Sequence, residues 1–117
     1  MSCSTFNNSN ICMIEGANQT LSLDLYNIFG ELYDYIDIIG IEWRMSKYGE
    51  IECLVSKDMH DNPKDFMYEK NHIEIIIRCN DTIGLYGKFT HQVIITDMMD
   101  NKFIVDLGNI SIKPQIK

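Results

Sequence analysis

Alanine is nearly absent: Ala17 is the one alanine in 117 residues. Proline is confined to Pro63 and Pro114, and histidine to His60, His72 and His91. Helical bundles draw on Ala, Leu, Glu and Lys, so a chain this poor in alanine is a weak candidate for one. Two prolines exclude collagen-like and proline-rich classes. No apolar run approaches the roughly 20 residues a membrane span needs, so no membrane partner is expected. Positive charge is also thin: ten Lys and Arg stand against seventeen Asp and Glu, giving a net charge of −7. The basic residues Lys47, Lys57, Lys64, Lys70, Arg78 and Lys88 stand singly. Such a chain repels phosphate backbones, and no nucleic-acid partner is expected. Residues 1–10 lack the positive start and apolar run of a secretory leader, which predicts folding in a cytoplasm. Cys3, Cys12, Cys53 and Cys79 share no Cys-x-x-Cys spacing. In a reducing compartment they are expected as free thiols, with Cys53 and Cys79 acting as small hydrophobes among apolar neighbours.

What is abundant is isoleucine, nineteen residues, with ten asparagines. β-Branched side chains lose rotamer freedom in helices and pack well on pleated sheets. The isoleucines fall into alternating runs, the signature of half-buried strands. Leu21, Leu23 and Leu25 share one face of a strand over 19–26. Ile39, Ile41, Trp43 and Met45 share one face over 39–45, opposite Glu42 and Arg44. Residues 50–56 read as a shorter strand with Ile51, Cys53 and Val55 together. Ile73, Ile75 and Ile77 alternate with His72, Glu74 and Ile76, and Phe89, His91, Val93 and Ile95 alternate with Thr90, Gln92 and Ile94. Residues 97–102 read as a hairpin turn in which Asp97 or Asp100 bonds nearby backbone. Gly108 is expected to break or bulge the last strand. Residues 57–71 read as a polar loop with one short helical turn around Phe66. Seven or eight short strands with turn signals every 8–12 residues predict an all-β antiparallel sandwich. Residues 1–10 read as a flexible arm and 11–117 as one domain. Residues 24–38 also carry a helical repeat through Leu25, Ile28, Phe29, Leu32, Tyr35, Ile36 and Ile39. Gly30 would cost such a helix about 1 kcal/mol, and periodicity leaves both readings open.

Reactive groups are sparse. His60, with Asp58, Asp61 and Asp65, could hold a divalent ion, although a solvated loop is the plainer reading. His91, between Phe89 and Val93, reads as a satisfied core or interface imidazole. Gly84 and Gly87 lie in a strand connection and suit backbone geometry better than phosphate binding. The pairs Asp34/Asp37, Glu50/Glu52 and Asp97/Asp100 lack the cleft a glycosidase needs. No nucleophile elbow or phosphate loop is present. The sequence therefore assigns no catalytic residue, cofactor or metal, and Asn7, Asn18, Asn80 and Asn109 carry no weight as glycosylation triplets. The surplus lies in large apolar groups outside the strands: Phe29, Tyr33, Tyr35, Tyr48, Phe66, Tyr68, Tyr86, Met98 and Met99. They either cap the small core or meet a partner, and Phe29, Tyr33, Tyr35, Phe66, Tyr68, Tyr86, Met98 and Met99 are the candidate contacts. Met98 and Met99 are the sharpest, because a hairpin tip seldom reaches its own core.

Two stretches carry a resemblance. The first is Ile14-Glu15-Gly16, Thr20 to Leu25, Gly30-Glu31, Tyr33-Asp34-Tyr35, then Ile41 to Met45. The second is Ile73 to Ile77, Asn80-Asp81-Thr82, Gly87 to Asp97, Asp100-Asn101-Lys102, then Leu107 to Pro114. Their order, over about residues 11–115, resembles the small immunoglobulin-like domains of tailed-phage virion proteins and is similar to upper-baseplate domains of some Gram-positive phages. The apolar turn at 27–30 and the long charged stretch 57–71 depart from that pattern. The resemblance implies an immunoglobulin-like sandwich, with residues 27–37 a turn and short strand. It also implies a non-enzymatic virion component that joins or decorates head, neck, tail or baseplate, assembled in the host cytoplasm. Its partners would be other virion proteins and copies of itself. The alternative is a small acidic α+β protein, such as a toxin-immunity protein, that uses the helical reading of 24–38 and its negative charge.

Overall fold

In the computed structural model, residues 10–26, 31, 38–69 and 71–116 are described. The strands are β1 (Ile11–Ile14), β2 (Gln19–Asp24), β3 (Ile38–Lys47), β4 (Val55–Asp58), β5 (Phe66–Glu69), β6 (His72–Ile77), β7 (Gly87–Asp97) and β8 (Lys102–Lys113). Beside them stand a single helical turn, α1 (Cys79–Thr82), and a 3-10 turn, Pro63–Asp65. One sheet runs β1-β8-β7-β3-β4 and the other β2-β6-β5. Every pairing is antiparallel except the first, where β1 lies parallel to β8 with Ile11 opposite Ile110. With eight strands among the described residues, this is an immunoglobulin-like β-sandwich.

The alternating runs explain the core. Leu21, Leu23, Ile73, Ile75 and Ile77 point inward from the smaller sheet, joined by Phe66 of β5. Ile41, Trp43, Met45, Phe89, Val93, Ile95, Ile110 and Ile112 face them from the larger sheet. Trp43 is fully buried beside its cross-strand partner Val93. Antibody-type domains rest such a tryptophan on a disulfide between the sheets; here β2 and β7 contain no cysteine, and apolar packing joins the sheets. Cys12, Cys53 and Cys79 are free and exposed, which corrects the expectation that Cys53 and Cys79 pack as small hydrophobes.

Two bulges alter the expected faces. β3 slips register between Ile38 and Gly40, so Ile38 turns inward and Ile39, expected in the core, is 59% exposed. An inserted residue exchanges the faces of a strand on either side of it. On β8, Asp106 pairs with Val93 and Ile104 with Ile94, leaving Val105 as the extra residue and burying Val105 and Asp106 in succession. Gly108, expected to break or bulge that strand, stays in the ladder opposite His91, and the bulge falls at Val105 instead.

The middle of the chain is more ordered than its polarity suggests. The strand expected over 50–56 begins only at Val55, opposite Met45, and Ile51 and Cys53 stand in solvent. The turn bond from Glu50 N–H to the Lys47 carbonyl (2.9 Å) takes residues 50–53 away from the ladder, which resumes where the Leu54 N–H donates to the Met45 carbonyl at 2.8 Å. Residues 57–71, expected as a loop with one short helical turn around Phe66, hold the end of β4, a 3-10 turn directly before Phe66, and β5, which was not expected. At 24–38, Asp24 ends β2, Leu25 N–H bonds the Asn71 carbonyl at 2.7 Å, and Ile38 opens β3. The helix-or-turn question over 27–30 and 32–37 lies outside the described residues, as do residues 1–9 of the expected arm. Among the described residues, no helix is long and apolar enough to cross a membrane.

Candidate functional site

The buried polar groups form structural networks. Lys57 on β4 is the cross-strand partner of Trp43 and therefore faces into the sandwich, where it is 6% exposed. Its ammonium lies 2.7 Å from Asp81 Oδ2 and 2.8 Å from Asp65 Oδ2, and donates to the Ile76 carbonyl at 2.9 Å. Arg78 Nε donates to Asp65 Oδ1 at 2.8 Å. The Arg78 guanidinium first, and the Lys57 ammonium second, hold the Asp65 carboxyl below the usual carboxylate range. Asp81 Oδ2 also accepts the Arg78 N–H at 2.7 Å, which starts α1. These charges tie the edge of the larger sheet to β6 and α1 of the smaller.

Trp43 Nε1–H donates to His91 Nδ1 at 3.2 Å. His91 is 1% exposed, so it is the core imidazole the alternation predicts, with its ring proton on Nε2. Thr82 Oγ1 accepts the Gly16 N–H at 3.1 Å, and Glu15 Oε2 accepts the Gly84 N–H at 2.7 Å. Gly84 and Gly87 have φ of +79° and +115°, conformations that suit glycine. Among the described residues, no group of three or more His, Cys, Asp or Glu could hold a metal ion. The ion considered at 58–65 has no ligand set there, because Asp65 is engaged by Lys57 and Arg78 and Asp58 Oδ1 accepts the Asp61 N–H at 2.8 Å.

The surface is different at the β7–β8 hairpin. Asp97 Oδ1 accepts N–H groups from both Met99 and Asn101 at 2.9 Å. Asp97 N–H donates to the Asn101 carbonyl and Asp100 N–H to the Asp97 carbonyl, each at 3.0 Å. Of the two candidates for an Asx turn, Asp97 and Asp100, it is Asp97 that makes it. It fixes a tip on which Met98 is 66% and Met99 81% exposed. The register adds neighbours: Ile38 pairs with Asp97, which sets the bulged Ile39 beside the tip, and Ile104 is outward opposite Ile94. Phe103 and Ile104 stay partly exposed at the same end. Tyr68 OH donates to the Ile38 carbonyl at 3.2 Å, which places the Tyr68 ring there too.

The expected contact residues therefore divide. Met98, Met99 and Tyr68 gather at this end. Tyr86 is 64% exposed but stands beside Gly87, at the opposite end of β7. Phe66 is corrected: it begins β5 opposite Ile75, faces the core and is 7% exposed, so it cannot meet a partner. Phe29, Tyr33 and Tyr35 lie outside the described residues. Sequence reading missed Ile39, Phe103 and Ile104. The bulge that exposes Ile39 leaves no mark in composition, while the strand after a tight turn could have pointed to Phe103 and Ile104.

No family model and no curated protein matches the sequence. Among solved structures, a chicken TCR is similar with a TM-score of 0.56 at 10% identity, over 95% of this chain and 56% of that one. This chain thus spans a little over half of that chain's length. Fibronectin(III)-like modules of Clostridium thermocellum CbhA are similar with a TM-score of 0.48 at 15% identity, over 96% of this chain and 95% of that one. At such identity the first likeness speaks to the fold, and it agrees with the strand order.

Proposed function

From an immunoglobulin-like sandwich as the premise, we propose that this protein is a non-enzymatic structural component of a tailed-phage virion. It joins or decorates other particle proteins, and copies of itself, by surface complementarity. The observation that carries the reading is the fixed hairpin tip with Met98 and Met99 in solvent and Ile39, Phe103 and Ile104 beside it. Fully burying one such side chain is worth about 1.5–3 kcal/mol, so a partner pocket that takes both methionines gains enough to anchor a contact. Methionine is unbranched and adapts to uneven pockets. The domain's buried ions are engaged in tying the two sheets together and its Trp43–His91 pair in joining β3 to β7 within the larger sheet, which also favours contact over chemistry. The virion assignment is supported by the order of strand and turn signals from residue 11 to 115.

The test is twofold. Mass spectrometry of purified particles from the encoding phage detects the chain as a stoichiometric component if the proposal holds; its absence from intact particles refutes the virion assignment. Incorporation of a Met98→Asp, Met99→Asp variant then tests the tip itself.

A further inference from the structure

The outward face of the three-stranded sheet carries one row drawn from all its strands. Asp24 of β2 is opposite His72 of β6, and His72 is opposite Glu69 of β5. His72 Nδ1 lies 3.0 Å from Asp24 Oδ1, and Nε2 lies 3.2 Å from Glu74 Oε2. An ionised carboxylate only accepts, and a neutral imidazole donates from a single nitrogen. In the neutral ring one of these two contacts would set a lone pair against a carboxylate oxygen. Both are hydrogen bonds only when both ring nitrogens carry protons. The charged groups that face the ring are Asp24 from β2, Glu74 from its own strand and Glu69 across the row on β5. Asp24 first, and Glu74 second, hold the His72 imidazole above its ordinary value.

The position gives this cluster a mechanical consequence. β2 is an edge strand of its sheet, and Asp24 is its last residue. The next residue, Leu25, donates its N–H to Asn71, the neighbour of His72. We propose that His72 is a proton-operated clamp: as an imidazolium it binds the end of edge strand β2 to β6, and on losing its proton it releases that end. Only the Asp24 contact crosses to β2, the Glu74 contact lying within β6. Deprotonation removes the positive charge from both, so even a ring that keeps Nδ1–H on Asp24 loses the ion pair between the strands, and carboxylates from three strands are left facing one another. The clamp is independent of the docking reading.

The sign follows from a folded-state value raised above that of the unfolded chain. The stabilisation is fully present below about pH 6.5, the ordinary imidazole value, and is lost as pH rises through the higher folded value. Native-state hydrogen exchange of the Leu25 amide, corrected for its intrinsic rate, reads the clamp at about pH 6 and about pH 8.5. Protection should fall roughly three- to tenfold across that interval, the lower figure allowing for screening of half-exposed carboxylates. In His72→Gln it should stay constant within about twofold. The His72 ring should show two protonated nitrogens at the lower pH and titrate above about 6.5, and Asp24→Asn should move that titration downward. Leu25 protection that does not change with pH in the wild type overturns the proposal, as does an equal fall in His72→Gln. If His72→Gln does not fold, a His72 titration unmoved by Asp24→Asn overturns it.

Discussion

Replacing Lys57 by methionine tests the ion network most severely. Methionine keeps an unbranched stem beside Trp43 and deletes the ammonium that contacts Asp81, Asp65 and the Ile76 carbonyl at 2.7, 2.8 and 2.9 Å. Removing one partner of a buried pair costs about 3–5 kcal/mol, mostly because the other charge is left uncompensated. Two features favour the lower end: Asp65 keeps Arg78, and the Asp81 side chain is 22% exposed. The expected loss is therefore about 3 kcal/mol, or roughly 10–20 °C in Tm for a domain of this size. Urea unfolding followed by Trp43 fluorescence measures it. Adding Asp81→Asn should recover part of the loss, because it removes the stranded charge. About 1 M NaCl should change the wild-type midpoint little, since buried pairs are weakly screened. A loss below about 1 kcal/mol would be that of a solvated surface pair and would refute a network that ties the two sheets.

Two further outcomes follow from the buried polar groups. Asp65 titrates below the unfolded carboxylate value, so its stabilisation is present above about pH 4 and disappears as pH falls through the lower folded value. Asp65→Asn should flatten the acid side of the stability profile below about pH 4, measured by urea midpoints, and leave its slope near neutrality unchanged. His91→Leu deprives the buried Trp43 N–H of its acceptor and should cost about 1–3 kcal/mol, with a shift in Trp43 emission; wild-type stability in that variant would show that the bond contributes nothing.

Much of this molecule was legible in its alternation. Leu21 and Leu23, Ile73 to Ile77, and Phe89 to Ile95 take the faces that a period of two predicts, because each strand buries one side against the other sheet. The bulges were not legible. One inserted residue on β3 exposes Ile39, and another on β8 buries Val105 and Asp106 together, neither changing local composition. Lys57 reads as a loop cation until long-range pairing sets it beside Trp43, with its carboxylates at 65 and 81. Phe66 failed for a related reason: amid polar residues it looked like a contact, but two-residue alternation on the short β5 turns it to the core. The parallel seat of β1 on β8 joins residues about a hundred positions apart, which no local signal reports. The hairpin tip was legible because its determinants are local: Asp97 bonds the next few amides, and the methionines between have nowhere inward to go.

The central claim is that this end of the sandwich works by contact. A Met98→Asp, Met99→Asp variant changes only exposed side chains, since Asp97 bonds the Met99 backbone and not its thioether. Its unfolding midpoint should match the wild type within about 0.5 kcal/mol. Its incorporation into particles, measured by quantitative mass spectrometry against wild-type chain competing in the same assembly, should drop by about a hundredfold, the equivalent of roughly 3 kcal/mol of lost apolar burial. Equal incorporation of the folded variant and the wild type would contradict the account.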